Sequence, residues 1–242
     1  MVITEYLPKP MIKITTIASS SSGNCYLLDN GKSKLVIEAG ISIAKIKEAM
    51  GFQLSSSAGC LVSHGHGDHA KAVKDMMIAG VDVFMSKGAA EQIGATGHRM
   101  NHVQALQQFT VGGWTVLPFD VVHDAEEPLG FIIASGDEKV LFITDLAYCK
   151  YRFSGVTHLM IEANFCEKIL AENVASGLVE KERCWRIIKS HMSIQRVVDL
   201  LRQMDKSRLK EIHLLHLSSA NSHEAMFKKL VAETTGKTVY VG

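Results

Sequence analysis

Nowhere in the chain do two cysteines stand in the Cys-x-x-Cys spacing of a thiolate metal site. The five present, Cys25, Cys60, Cys149, Cys166 and Cys184, are odd in number and widely scattered. That argues against a disulfide framework and against zinc held by sulfur, and leaves them as small buried side chains. Proline is scarce, with 4 residues in 242, and no Pro-rich, Ser-rich or charged tract is long enough to separate two units. One domain over residues 1–242 is expected, with 1–10 as an N-terminal extension. No run approaches the roughly 20 consecutive apolar residues of a membrane span, and residues 1–10 lack the apolar centre of a signal peptide. A membrane partner is therefore not expected, and the cytoplasm is the expected location. Hydrophobic residues nonetheless make up 47% of the chain, enough for a substantial core.

A strong charge of either sign is also missing. The net charge of +1 leaves no global basic footprint for nucleic acid. The distribution is uneven, however. Residues 181–242 hold 12 Lys/Arg against 6 Asp/Glu, or +6, whereas 1–180 hold 14 against 19, or −5. The basic quarter suits an anionic substrate, or is simply the solvated face of a helical stretch at 196–210.

The hydrophobic pattern predicts strands at 11–17, 25–29, 34–38, 59–62, 81–85, 109–111, 114–117 and 119–122. Further strands are expected at 129–134, 139–144, 157–162, 211–215 and 238–241. Helical spacing marks 43–50, 70–79, 89–93, 168–189, 194–204 and 222–233. Strands in runs, with helices between and after them, fit two β-sheets packed face to face with helices outside.

The strongest chemical signal is Ser63-His64-Gly65-His66-Gly67-Asp68-His69, directly after the apolar strand at 59–62. His64 and His66 are two apart, so an extended backbone turns both rings to one side. Gly65 and Gly67 permit sharp turns between them. Asp68 and His69 fall on the first turn of the next helix and can face a second metal. Imidazole and carboxylate without thiolate suit Zn, Mn or Fe. His123, Asp145 and His216 each follow an apolar strand, and strand ends converge on one rim of a sandwich.

The set SHGHGDH, HDAEEPLGF, FITDLAY and HLLHLSSANS resembles the metallo-β-lactamase superfamily. SSSSGNCYLL, EANF and SHMS are further similar to its small bacterial exonucleases and their phosphodiesterase relatives. The resemblance spans 11–242. It implies a four-layer αββα sandwich of two mixed sheets, with helices on both outer faces and two divalent ions at one edge. It also implies His64, His66 and His123 at one metal, and Asp68, His69 and His216 at the other, with Asp145 bridging. The segment VIEAGI carries Glu38 where relatives have Asp, and this acid is expected to support the site from behind.

The resemblance further implies hydrolysis by a hydroxide shared between the metals. Asp68 and His191 are the expected catalytic residues, His191 as proton donor or phosphate ligand, unless it is only a helix-start histidine. Ser218, Ser219 and Asn221 are expected either to bond phosphate oxygens or to cap the following helix. Backbone N–H groups of 19–24 offer another anion contact, whereas His98, His102, His158, His213 and His223 read as structural. The expected function is a phosphodiesterase or nuclease acting on nucleic acid or a small nucleotide ester. The alternatives are a thioester or lactone hydrolase on the same scaffold and a non-catalytic metal-binding module.

Overall fold

The computed structural model of the protein describes residues 11–242; the extension expected at 1–10 lies outside the described residues. In the first sheet spatial order equals chain order: β1 (Lys13–Ser20), β2 (Gly23–Asp29), β3 (Lys34–Ile37), β4 (Gly59–Leu61), β5 (Val83–Met85) and β6 (Met100–His102). β1 to β3 are antiparallel and β3 to β6 parallel. The second sheet runs β7 (Phe109–Val111), β8 (Trp114–Asp120), β9 (Leu129–Ser135), β10 (Glu138–Ile143), β11 (His158–Glu162), β12 (Glu211–Leu215) and β13 (Thr238–Val241). It changes from antiparallel to parallel at β10. Helices α1 (Ile43–Ala49), α2 (Gly67–Ala70), α3 (Val73–Ile78) and α4 (Lys87–Gln92) accompany the first sheet. The second is followed by α5 (Glu167–Ala175), α6 (Lys181–Ser190), α7 (Ile194–Gln203) and α8 (Glu224–Thr235).

Period-two alternation divides each strand between two cores. Tyr26 and Leu28 of β2 face inward with Leu35, Ile37 and Leu61, and meet Trp114, Phe131, Phe142 and Leu215 of the second sheet. Cys25 and Leu27 point outward and join Val36 and Cys60 against Ile46 of α1 and Val73 and Met76 of α3. On the far side Leu141, Ile143, Leu159 and Ile161 pack on Val197 and Leu201 of α7 and on Phe227 and Val231 of α8. The layers run helix, sheet, sheet, helix, which is the expected αββα sandwich. Each large side chain buried in these cores is worth about 1.5–3 kcal/mol, so the strand ends stand on a rigid base. Among the described residues no helix is long and apolar enough to cross a membrane.

Several element boundaries differ from expectation. The helix expected over 70–79 starts earlier and is split into α2, ending at Ala70, and α3, starting at Val73, because the Ala72 N–H donates to Ala39 O and the Ala39 N–H to His69 O. These bonds tie the segment to the end of β3 and interrupt the helix. The helix expected over 168–189 breaks at Gly177, whose φ of +77° takes the left-handed conformation of a helix C-terminus. The strands expected at 114–117 and 119–122 are one strand, β8. Its pairing with β7 ends at Val116, so Pro118 sits where an edge position needs no N–H. β6 escaped the hydrophobic pattern because Met100-Asn101-His102 is short and polar.

Candidate metal centre

Beyond β4 the chain reaches the rim at Ser63, whose N–H donates to Glu38 Oε1 at 3.2 Å. His64 follows, its Nδ1 2.8 Å from Ser63 Oγ. His66 is the extended residue before α2, and Asp68 and His69 lie in α2 itself. His123 follows β8, Asp145 lies just past β10, and His216 directly follows β12. Parallel strands deliver Asp145 and His216 at their C-terminal ends, where open α/β sheets usually place ligands. Glu38, Asp145 and His216 have φ of +65°, +48° and +53°. A left-handed residue costs roughly 1–2 kcal/mol, and such strain persists where the surroundings over-determine it, which is typical of functional sites.

The seven residues expected as metal ligands come together in two groups that share one carboxylate. His64, His66, His123 and Asp145 form one, and Asp68, His69, Asp145 and His216 the other. His66 Nδ1 lies 3.2 Å from both His64 Nε2 and His123 Nε2. The His123 Nδ1–H donates to the Ser190 carbonyl at 3.2 Å, which turns the Nε2 lone pair inward. Two ring nitrogens thus converge on a third. Ligands at about 2.0–2.1 Å from a tetrahedral ion are roughly 3.3–3.4 Å apart, close to the observed spacing. In the second group His69 Nε2 and His216 Nε2 each lie 3.5 Å from Asp68 Oδ2. His216 Nε2 is buried without a hydrogen-bond partner. Converging ring nitrogens, one of them without a hydrogen-bond partner, and clustered carboxylates fit divalent cations.

The electrostatics agree. Burial, then the neighbouring His69, pushes His64 well below the ordinary imidazole value, so it stays neutral. Burial works against charge on His69, but Asp145 and Glu38 prevail and hold it well above that value. Likewise His216 rises against its burial because Asp145, Asp68 and Glu162 surround it. Asp145 is driven down despite complete burial by His69 and His216.

Glu38 is fully buried, with Oε2 3.4 Å from His69 Nδ1. Asn24 reaches the same histidine, its Nδ2 3.1 Å from His69 Nε2. Residues 19–24 form a tight turn that acts through side chains: the Ser19 hydroxyl accepts from the His216 N–H at 2.8 Å. His191 lies just past α6, its Nδ1 2.6 Å from Glu162 Oε1, and borders the cleft over these groups. Ser218 borders the same cleft as His191, whereas Asn221 is buried and bonded to Asn173 at 2.8 Å. Ser219 is exposed next to it. None of these three caps α8; that role falls to His223, whose Nδ1 accepts from the Met226 N–H at 3.3 Å. The cap position comes two residues later than expected because the segment up to Ser222 is taken up in turns, with the Ser222 hydroxyl donating to Ser218 O.

Glu162 was not singled out in the sequence. It is fully buried and accepts from His191, from His216 Nδ1 at 3.1 Å, and from the N–H groups of Leu146 and Met192. Its signal was an acid closing an apolar strand, the same signal that marked Asp145. Glu162→Gln turns an amide N–H₂ either against the two imidazole N–H groups or against the N–H groups of Leu146 and Met192, and should lower metal affinity 10- to 100-fold, as loss of an outer partner commonly does. Competition against a chromogenic chelator measures it, and unchanged affinity would remove Glu162 from the site.

A cleft of about 400 Å³ opens over both groups, bordered by His66, Asp68, His123 and Asp145 on its floor and by Arg183, Arg186 and His191 at its side. Residues 34–214 match the family described as Beta-lactamase superfamily domain. The chain belongs to this superfamily. Among its relatives is Exodeoxyribonuclease WalJ of Streptococcus pneumoniae, 25% identical over 246 residues, covering 93% of this chain and 90% of that one. The metallo-beta-lactamase fold protein YhfI of Bacillus subtilis superposes with a TM-score of 0.71 at 17% identity, over 96% of this chain and 97% of that one. Zn²⁺-bound PqqB from Methylobacterium extorquens gives a TM-score of 0.73 at 13% identity, with the same coverage of 96% and 97%. Superfamily membership and the exonuclease names of its relatives support a hydrolase, and the donor groups described above could hold divalent ions.

Proposed function

We propose that the protein is a two-metal phosphodiesterase of the nuclease type, acting on DNA. The observation that carries this reading is Asp145, whose Oδ2 lies 3.2 Å from His69 Nε2, 3.6 Å from His64 Nε2 and 3.7 Å from His123 Nε2. One carboxylate can therefore serve two ions. His64, His66 and His123 would hold the first, and Asp68, His69 and His216 the second. Zn suits these donors best, and Mn or Fe accept them. Such a pair supplies Lewis acidity to phosphate oxygens and acidifies water near neutral pH.

The remaining work falls to side chains. Asp68 borders the cleft with its carboxyl held well below the usual range, where burial is outweighed by His216 and His69. It is placed to accept a hydrogen bond from the attacking water. His191 is anchored by Glu162, whose charge raises its proton affinity against the effect of burial, and is placed to donate to the leaving oxygen. Arg183 and Arg186 favour an anionic phosphodiester over a neutral lactone or thioester. The name of the relative WalJ supports a deoxyribonuclease substrate. The test is metal content together with hydrolysis of bis(p-nitrophenyl) phosphate after loading with Zn or Mn. About two metals per chain with turnover is the expected result; two metals without turnover on any phosphodiester would reject the reading.

A further inference from the structure

α6 packs its apolar side chains along one face. Cys184, Ile187 and Ile188 pack on Phe165, Leu170 and Val179. At 100° per residue, Arg183, Arg186 and Ser190 then share a second stripe, and all three border the cleft above the metal-binding groups. The helix carries four cations, Lys181, Arg183, Arg186 and Lys189, against the single acid Glu182. Among the described residues neither Arg183 nor Arg186 has an acidic partner.

Two unpaired guanidiniums beside a cleft repel each other and the ions below them unless anions lie between. Arginine matches phosphate oxygens with paired N–H groups. Cβ atoms three apart on a helix are about 5–6 Å from each other, near the separation of neighbouring phosphates on an extended strand. In the proposed reaction the metal-binding groups below would account for the scissile phosphate. A small diester has no further phosphate to offer. The near-zero net charge agrees, because long-duplex binding needs many phosphate contacts and this chain concentrates a few at one place.

We infer that Arg183 and Arg186 clamp the phosphates flanking the scissile one and select a single-stranded polynucleotide over small diesters. This assignment rests on the phosphodiesterase reading. Its test is the salt dependence of binding, between about 50 and 200 mM, of a hydrolysis-resistant phosphorothioate DNA strand to the metal-loaded protein. Each phosphate contact on a single strand contributes about 0.7 to the log–log slope. The double substitution R183A/R186A should therefore lower the slope by roughly 1.4. R183K/R186K should keep the slope, since charge is retained, while losing affinity with the paired geometry. Both arginines are exposed, so neither variant disturbs packing. An unchanged slope in the alanine variant overturns the clamp, whatever the wild type does with bis(p-nitrophenyl) phosphate, which tests the phosphodiesterase reading separately.

Discussion

Asp145→Asn should leave at most a few per cent of phosphodiester turnover while the far-ultraviolet circular dichroism stays that of the wild type. The carboxylate is 3% exposed and is the one side chain common to both donor groups. Asparagine keeps the shape but loses the charge, and replaces one acceptor oxygen with a donor amide. Whichever way the amide turns, it either meets the His216 imidazole, whose Nδ1 is 2.7 Å from Oδ1, or faces His64, His69 and His123. Loss of fold is not the expected cause, because asparagine tolerates the left-handed backbone found here. Metal content should fall below that of the wild type in step with activity. His66→Ala should behave alike, since it removes the nitrogen on which His64 and His123 converge. More than a few per cent of activity in either variant would sink the assignment of these ligands.

Gly40→Ala should damage the protein more than any other single methyl group added near the site. A Cβ built on Gly40 would stand 1.7 Å from the Asp68 carbonyl oxygen and 2.8 Å from the Asn24 nitrogen. Neither neighbour is a flexible side-chain end. Gly40 itself cannot retreat, because its N–H donates to Asn24 O at 2.9 Å while Ala39 is bonded on both sides to the α2 region. Overpacking costs typically 1–3 kcal/mol, and backbone against backbone belongs at the upper end. For a chain of this size roughly 3 kcal/mol lowers Tm by about 6–12 °C. The displaced group is the turn that carries Asp68 and His69, so the second ion should be lost before the first. Gly67→Ala is the control: it lies inside the histidine run, yet its Cβ would meet nothing within 4 Å. Thermal unfolding and metal stoichiometry decide the matter. Equal Tm values for the two variants would show that the contact at Gly40 is not tight.

The ease with which these residues can be read from the sequence differs, and the difference is physical. His64, His66, Asp68 and His69 announce themselves because four donors within six residues have no common structural purpose. His123, Asp145 and His216 were readable because each interrupts an apolar strand at its end, where a polar side chain has only the rim to face. Glu162 ends its strand in the same manner, but an isolated acid gives no hint that four donors will converge on it. The capping of α8 by His223 depends on how residues 217–222 fold back over the segment before α5, which local pattern cannot express. Arg183 and Arg186 were hidden for another reason. Their common face exists only once Gly177 breaks the helix and the apolar side of α6 has been fixed against Phe165. The layer order, by contrast, follows from alternation within β2 and β10, where successive residues enter different cores.

The donor groups draw on both halves of the chain. His64, His66, Asp68 and His69 extend from the first sheet, whereas His123, Asp145 and His216 extend from the second. A metal ion held by these groups would be a rivet through two plates. Its binding energy is felt as cohesion between the sheets, about 1.4 kcal/mol for each tenfold rise in free metal above the dissociation constant. Starvation for metal would then silence the enzyme and also loosen the seam, so that the idle protein becomes the one most readily unfolded and cleared.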